Sequence, residues 1–271
     1  MMMNWYKPAA FLVRDFTIAR TYKFAYALEL LGIVFYVAGL YFLSKIVGGV
    51  VPHDVELYGA DYFSFVLIGV AFSGYITLSL GSFAEAIREA QLEGTLESLL
   101  VTPTSLSTII LSAALYPFIF TTFSVIIYFF FGIALFGFRL GNANYLSAVF
   151  ILILSMVACS GLGLLSAAFV MMFKKGSPVG WIVGSLSTLL SGILYPVSVL
   201  PWWLQQLSLL LPLTYSLDGL RHALLENYPL AELLPDIGAL ALFTMVLLPA
   251  GLIAFSYATR VAKVEGSVSN Y

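Results

Sequence analysis

Residues Glu85 to Pro103 read EAIREAQLEGTLESLLVTP. This is the most charged run in a chain that otherwise avoids charge. Long apolar segments flank it on both sides, which makes it a connection between two membrane spans. Written as a helix, it places Glu85, Glu89, Glu93 and Glu97 four residues apart on one face. Leu92, Leu96, Leu99 and Leu100 fall on the neighbouring face. Like charges at this spacing oppose an isolated helix by roughly 0.2–0.5 kcal/mol per pair, and Arg88 offsets only part of that. Two readings follow. The stretch is a solvated acidic face, or it is a docking helix that offers carboxylates to a cationic groove on another protein, where attraction reverses the penalty.

Composition supports a membrane protein independently. Apolar types make up 61% of the 271 residues and charged types 10%, and the mean hydropathy is +0.99. A soluble domain carries about 25% charged residues. A single cysteine, Cys159, excludes an internal disulfide and reads as a small packing residue in an apolar span. The N-terminus lacks the short apolar core and small-residue cleavage site of a signal peptide.

Residues 1–23 alternate aromatic and basic positions, among them Trp5, Phe11 and Phe16 with Lys7, Arg14 and Arg20. That pattern predicts an amphipathic helix in the membrane interface. A first span over about 24–44 contains Glu29, roughly a turn inside its end, and an intramembrane carboxylate is a functional candidate. A polar loop with His53, Asp54, Glu56 and Asp61 leads to a second span over about 62–84. A third runs from about 105 to 138, with Pro117 as a predicted kink and an aromatic second half. The fourth, about 145–173, aligns Ser155, Cys159, Gly163 and Ala167; the fifth, about 177–194, aligns Gly180, Gly184, Thr188 and Gly192. Small residues at this spacing let helices approach closely in lipid, so both stripes predict packing faces.

From Gly176 to Leu217 there is no charge, yet Pro196, Pro201 and Pro212 interrupt the run. Two ordinary spans here would leave the wrong parity for the termini. We therefore read one span followed by an external re-entrant region over 195–233, holding two short helices over about 201–210 and 216–225. Pro201 suits a helix start, and Trp202 and Trp203 suit the interface. Non-helical backbone at membrane depth must be shielded by protein or face water, which makes Pro196, Pro201, Trp202, Trp203, Pro212, Tyr215 and Arg221 candidates for an external gate. A local ion pair between Asp218 and Arg221 is expected, and His222 reads as a surface residue. The last span covers about 237–259.

Lys and Arg set the orientation. With six spans and both termini inside, the inner side holds Lys7, Arg14, Arg20, Lys23, Arg88, Lys174, Lys175, Arg260 and Lys263, and the outer side Lys45, Arg139 and Arg221, nine against three. The expectation is one all-α integral membrane domain over 1–271, multi-pass in the plasma (inner) membrane, with residues 85–103 on the inner side.

Two sets of residues carry a resemblance. Glu93-Gly94-Thr95-Leu96-Glu97, then Leu99-Leu100 and Thr102-Pro103, resembles the signature of the ABC type-2 transporter permeases. Ser191 to Ser198, then Leu200-Pro201-Trp202-Trp203, Leu211 to Tyr215 and Leu220-Arg221, is similar to that family's late external region. The resemblance implies that 85–103 is the coupling helix, with Glu89, Glu93, Gly94, Thr95, Leu96, Glu97, Leu100 and Pro103 docking a separate ATPase subunit. It further implies a second permease subunit, as homodimer or heterodimer, and export of an amphipathic, lipid-like, drug or lipid-linked glycan cargo.

The chain has no phosphate-binding Gly-x-x-x-x-Gly-Lys-Ser/Thr run, so it is not read as its own ATPase. ATP and magnesium would belong to the partner, leaving no cofactor, metal or nucleic acid for this chain and no enzyme activity of its own. With two histidines and one cysteine, no zinc or catalytic Cys–His set is expected. The alternative is an ion-gradient-driven carrier or channel, for which Glu29 is the sole coupling candidate.

Overall fold

A computed structural model describes residues 6–47, 61–94, 106–141, 143–173 and 178–265. Those residues form α1 (Tyr6–Thr21), α2 (Lys23–Val47), α3 (Tyr62–Leu92), α4 (Leu106–Phe136), α5 (Tyr145–Phe173), α6 (Pro178–Leu190), a 3-10 turn (Val197–Val199), α7 (Trp202–Ser208), α8 (Pro212–Leu225) and α9 (Leu234–Glu265). There is no strand among the described residues. Among the described residues five helices are long and apolar enough to cross a membrane: Lys23–Val47, Tyr62–Leu92, Ser112–Phe136, Tyr145–Phe173 and Leu234–Ala262. α6 is apolar but has 13 residues as described, about 20 Å of helix against a hydrocarbon core of about 30 Å.

α3 and α5 form the centre. α3 buries Phe63, Phe65, Leu67, Ile68 and Ile76 almost completely, and it packs on α5, α4, α2 and α8. α5 also lies along α9 over a long contact. The fourth-span stripe serves as expected: Ser155, Cys159 and Ala167 are buried, and a Cβ on Gly163 would come 2.3 Å from the Ser79 carbonyl oxygen of α3. A second close approach escaped sequence reading. A Cβ on Gly161 would lie 2.4 Å from the Leu247 backbone, and one on Gly251 would lie 2.4 Å from the Gly161 oxygen. α5 and α9 thus touch backbone to backbone, glycine against glycine.

The fifth-span stripe packs only in part: Gly192 is buried, and Gly184 and Thr188 are not. A Cβ on Gly184 meets nothing within 4 Å, and Thr188 is exposed. Gly192 lies beyond the helix, in a turn with φ +77°. Within α6, Ser187 and Leu190 are buried, while Thr188 is exposed.

Helix ends follow local chemistry. Asp61 caps α3, its carboxylate accepting from the Ser64 amide at 3.4 Å and from the Ser64 hydroxyl. Asn227 takes a left-handed φ of 61° just past α8, as Asn can at a helix C-terminus. Pro117 and Pro249 sit inside otherwise continuous helices. The second re-entrant helix begins at Pro212 rather than near Ser216, because Pro212 occupies the first turn, where its missing N–H costs nothing. Pro201 precedes α7 as its N-cap.

Candidate functional site

The acidic stretch continues a span. α3 runs unbroken through Ala84 to Leu92 and stops where Gly94 turns left-handed, φ +67°. The Glu93 amide donates to the Glu89 carbonyl at 2.9 Å and the Gly94 amide to Gln91 at 3.1 Å, which closes the last turn. The expectation of a separate helix over 85–103 is corrected for its described part: residues 85–92 are the last turns of α3, which ends at Leu92. Thr95, Leu96, Glu97, Leu100 and Pro103 lie outside the described residues, as do His53, Asp54 and Glu56. With 31 residues, α3 is about 46 Å long, so roughly 16 Å projects past a hydrocarbon core.

That projection is amphipathic. Phe83, Ala84, Ile87 and Ala90 are buried against Ala167 and Met171 of α5 and Phe255, Ala258 and Ala262 of α9. Glu85, Arg88, Glu89 and Glu93 are exposed, and Leu92 is 70% exposed. A rigid, seated helix therefore presents three carboxylates and one leucine outward.

At the far end of the same helix, Arg221 of α8 is 3% exposed. Its guanidinium donates to the carbonyls of Phe65 (3.2 Å, from Nε and from one terminal nitrogen), Gly192 (2.8 Å) and Ile193 (3.1 Å). It also lies 3.4 Å from the centroid of the Phe65 ring, a cation–π contact. One side chain thus joins α8, the first turn of α3 and the turn after α6. Gly69 makes room, since a Cβ there would be 2.4 Å from the Ile193 oxygen and 2.6 Å from Arg221. Tyr62 ties the same turn to α3 through a 2.8 Å bond to the Leu194 carbonyl.

The expected gate residues divide between this joint and an outer face. Pro196 and Pro212 are buried, and Tyr215 is half-buried, its hydroxyl donating to the Leu209 carbonyl at 3.2 Å. Pro201 is exposed, as are Trp202 (77%) and Trp203 (53%). The expected Asp218–Arg221 pair misses the main partners of the arginine, which are carbonyls. Asp218 lies 3.7 Å from His222. His222 is more than a surface residue: Nδ1 is 2.5 Å from a Glu226 carboxylate oxygen, and the ring stacks on Tyr228 at 4.9 Å.

A cleft of about 1320 Å³ lies between α1, α2, α3 and α4. Glu29 is in its wall, with Tyr26, Tyr36, Tyr116 and Tyr128. Tyr116 donates to the Tyr26 hydroxyl at 3.1 Å, which links α4 to α2. Glu29 stands out in the sequence as a carboxylate within a span, whereas the cleft does not, since its walls come from four helices.

A family model described as ABC-2 type transporter matches residues 32–225. The "Inner membrane transport permease YadH" of Escherichia coli (strain K12) is 27% identical over 194 residues, covering 69% of this chain and 72% of that protein. The protein of the same name from Shigella flexneri is similar to the same degree, 27% over 194 residues.

Proposed function

The chain belongs to the ABC-2 type transporter family, whose model spans most of its length, and from that premise we propose that it is the permease subunit of an ATP-driven exporter with α3 as its coupling rod. A multi-pass membrane component of an ABC transporter needs a connection to the ATPase that supplies its energy. The observation that carries the reading is the continuity of α3. One helix runs from the Arg221 joint, through the packed core, to exposed Glu85, Glu89 and Glu93. Force applied at the Gly94 end has a rigid path to Phe65 and the turn after α6.

In this reading α2, α3, α4, α5, α6 and α9 are six spans, both termini face the cytoplasm, and α1 lies in the inner interface. The ATPase subunit, with its own ATP and magnesium, receives Glu89 and Glu93 together with 94–103. The outward small-residue face of α6, where Gly184 has open space, is where a second permease subunit packs. α7 and α8 form the external gate, with Trp202 and Trp203 at the interface and Arg221 as its pivot. Relatives named transport permeases of the inner membrane support this assignment.

The test is co-purification from native membranes. A soluble ATPase is expected with the native chain and is expected to be lost from Glu89→Lys/Glu93→Lys, while the variant keeps its unfolding midpoint. Full retention of the ATPase and of transport in the variant sinks the docking assignment. Transport driven by an ion gradient without ATP would instead favour a secondary carrier.

A further inference from the structure

The cleft between α1, α2, α3 and α4 does not include the Arg221 joint, and it extends to the α3 tip, whose Glu85, Glu89 and Glu93 stand in its wall. Its volume, about 1320 Å³, exceeds the roughly 300–1,000 Å³ of sites that hold drug-sized molecules. Its charge is one-sided. Among the described residues Arg14 is the one cation in the wall, paired with Asp15 at 2.8 Å, and the remaining charged wall residues are Glu29, Glu85, Glu89 and Glu93.

Glu29 is an exposed carboxylate of this wall, carried by α2. It stands six residues into α2, about 9 Å along the helix. It has no hydrogen-bond or ion-pair partner among the described residues. A carboxylate at that depth is costly unless something balances it. Around it the wall is aromatic: Tyr26, Tyr36, Tyr116, Tyr128 and Phe120. Tyr26 meets Phe120 edge to face at 5.1 Å. Aromatic faces and one carboxylate attract a weakly hydrated organic cation, and the same carboxylates repel phosphates.

We propose that this cleft is the cargo site and that the cargo is a lipophilic organic cation, whose charge Glu29 balances while its apolar body lies against the tyrosines. The proposal rests on the permease reading and narrows its substrate class. It also puts cargo beside the coupling rod, since Glu85, Glu89 and Glu93 continue the same wall toward Gly94.

The probe is tetraphenylphosphonium, with tetraphenylborate as the anion of the same shape. Binding is measured to the full chain in nanodiscs of zwitterionic lipid, with empty nanodiscs subtracted. Two filling variants guard against misfolding: Gly32 and Gly81 both line the cleft, and a Cβ on either meets nothing within 4 Å. Saturable tetraphenylphosphonium binding is expected, at least tenfold weaker in Glu29→Gln, Gly32→Leu and Gly81→Leu, and unchanged in Glu232→Gln on exposed surface. Absence of saturable binding, equal binding of tetraphenylborate, or undiminished affinity in Glu29→Gln overturns the proposal. A disulfide between two copies through Gly32→Cys overturns it as well, because a second copy would then fill the cleft. The same preparations are probed for the ATPase. If the ATPase co-purifies and the cation does not bind, the cleft assignment fails alone; if the native chain brings no ATPase, the permease reading fails first.

Discussion

Arg221 shows what a single residue does here and why its role was hidden. The family-like pattern marks it, but its partners are the Phe65 carbonyl, 156 positions away, and the Gly192 and Ile193 carbonyls, 29 and 28 away. Nothing within a turn of Arg221 points to them, whereas Asp218, three positions before it, suggests a local pair. A planar fork with five donors suits several carbonyls at once, and an ammonium does not. Replacing Arg221 with Met strands buried acceptors at about 1–3 kcal/mol each. We expect Arg221→Met to destabilise the protein by about 3 kcal/mol or more, read as a lower unfolding midpoint in detergent, with Arg221→Lys recovering less than half. An equal loss in Asp218→Asn would make the acid the dominant partner instead.

At the scale of helices, the sequence is far more transparent. Apolar runs of about 20 residues are long-range signals that need no partner to be read. The expected span over 145–173 coincides with α5 (Tyr145–Phe173), and the expected start of the second span coincides with Tyr62 of α3. Where a helix stops depends on single residues, as Gly94 shows by turning left-handed just past α3. Packing stripes were half legible: small residues at every fourth position say that a face can pack, not that it does. Gly161 and Gly184 separate the two cases. Gly→Ala inside a helix favours the helix by up to about 1 kcal/mol. At Gly161 the added Cβ strikes Leu247 backbone at 2.4 Å, and at Gly184 it meets nothing within 4 Å. Gly161→Ala should therefore lower the unfolding midpoint, by about 1–3 kcal/mol of overpacking, while Gly184→Ala should hold or raise it. Equal effects in thermal unfolding would remove the α5–α9 backbone contact from the account.

For the whole molecule, the spacing of the acidic stretch and the Arg221 region told of two functional ends but not that one helix connects them. That connection turns two sites into a mechanism: α3 carries its packed core between the exposed glutamates and the Arg221 joint. The cleft was illegible for a related reason, since a cavity is a property of four helices together and not of any run of residues. The direct measurement is site-specific cross-linking in native membranes from cysteines placed at the two ends of the rod. Native Cys159 is 1% exposed and stays silent. Glu93→Cys should cross-link to the ATPase subunit with a yield that changes when nucleotide is added, and Trp202→Cys at the opposite end should not. Cross-linking to the ATPase from Trp202→Cys and not from Glu93→Cys would contradict the assignment of α3 as the coupling rod.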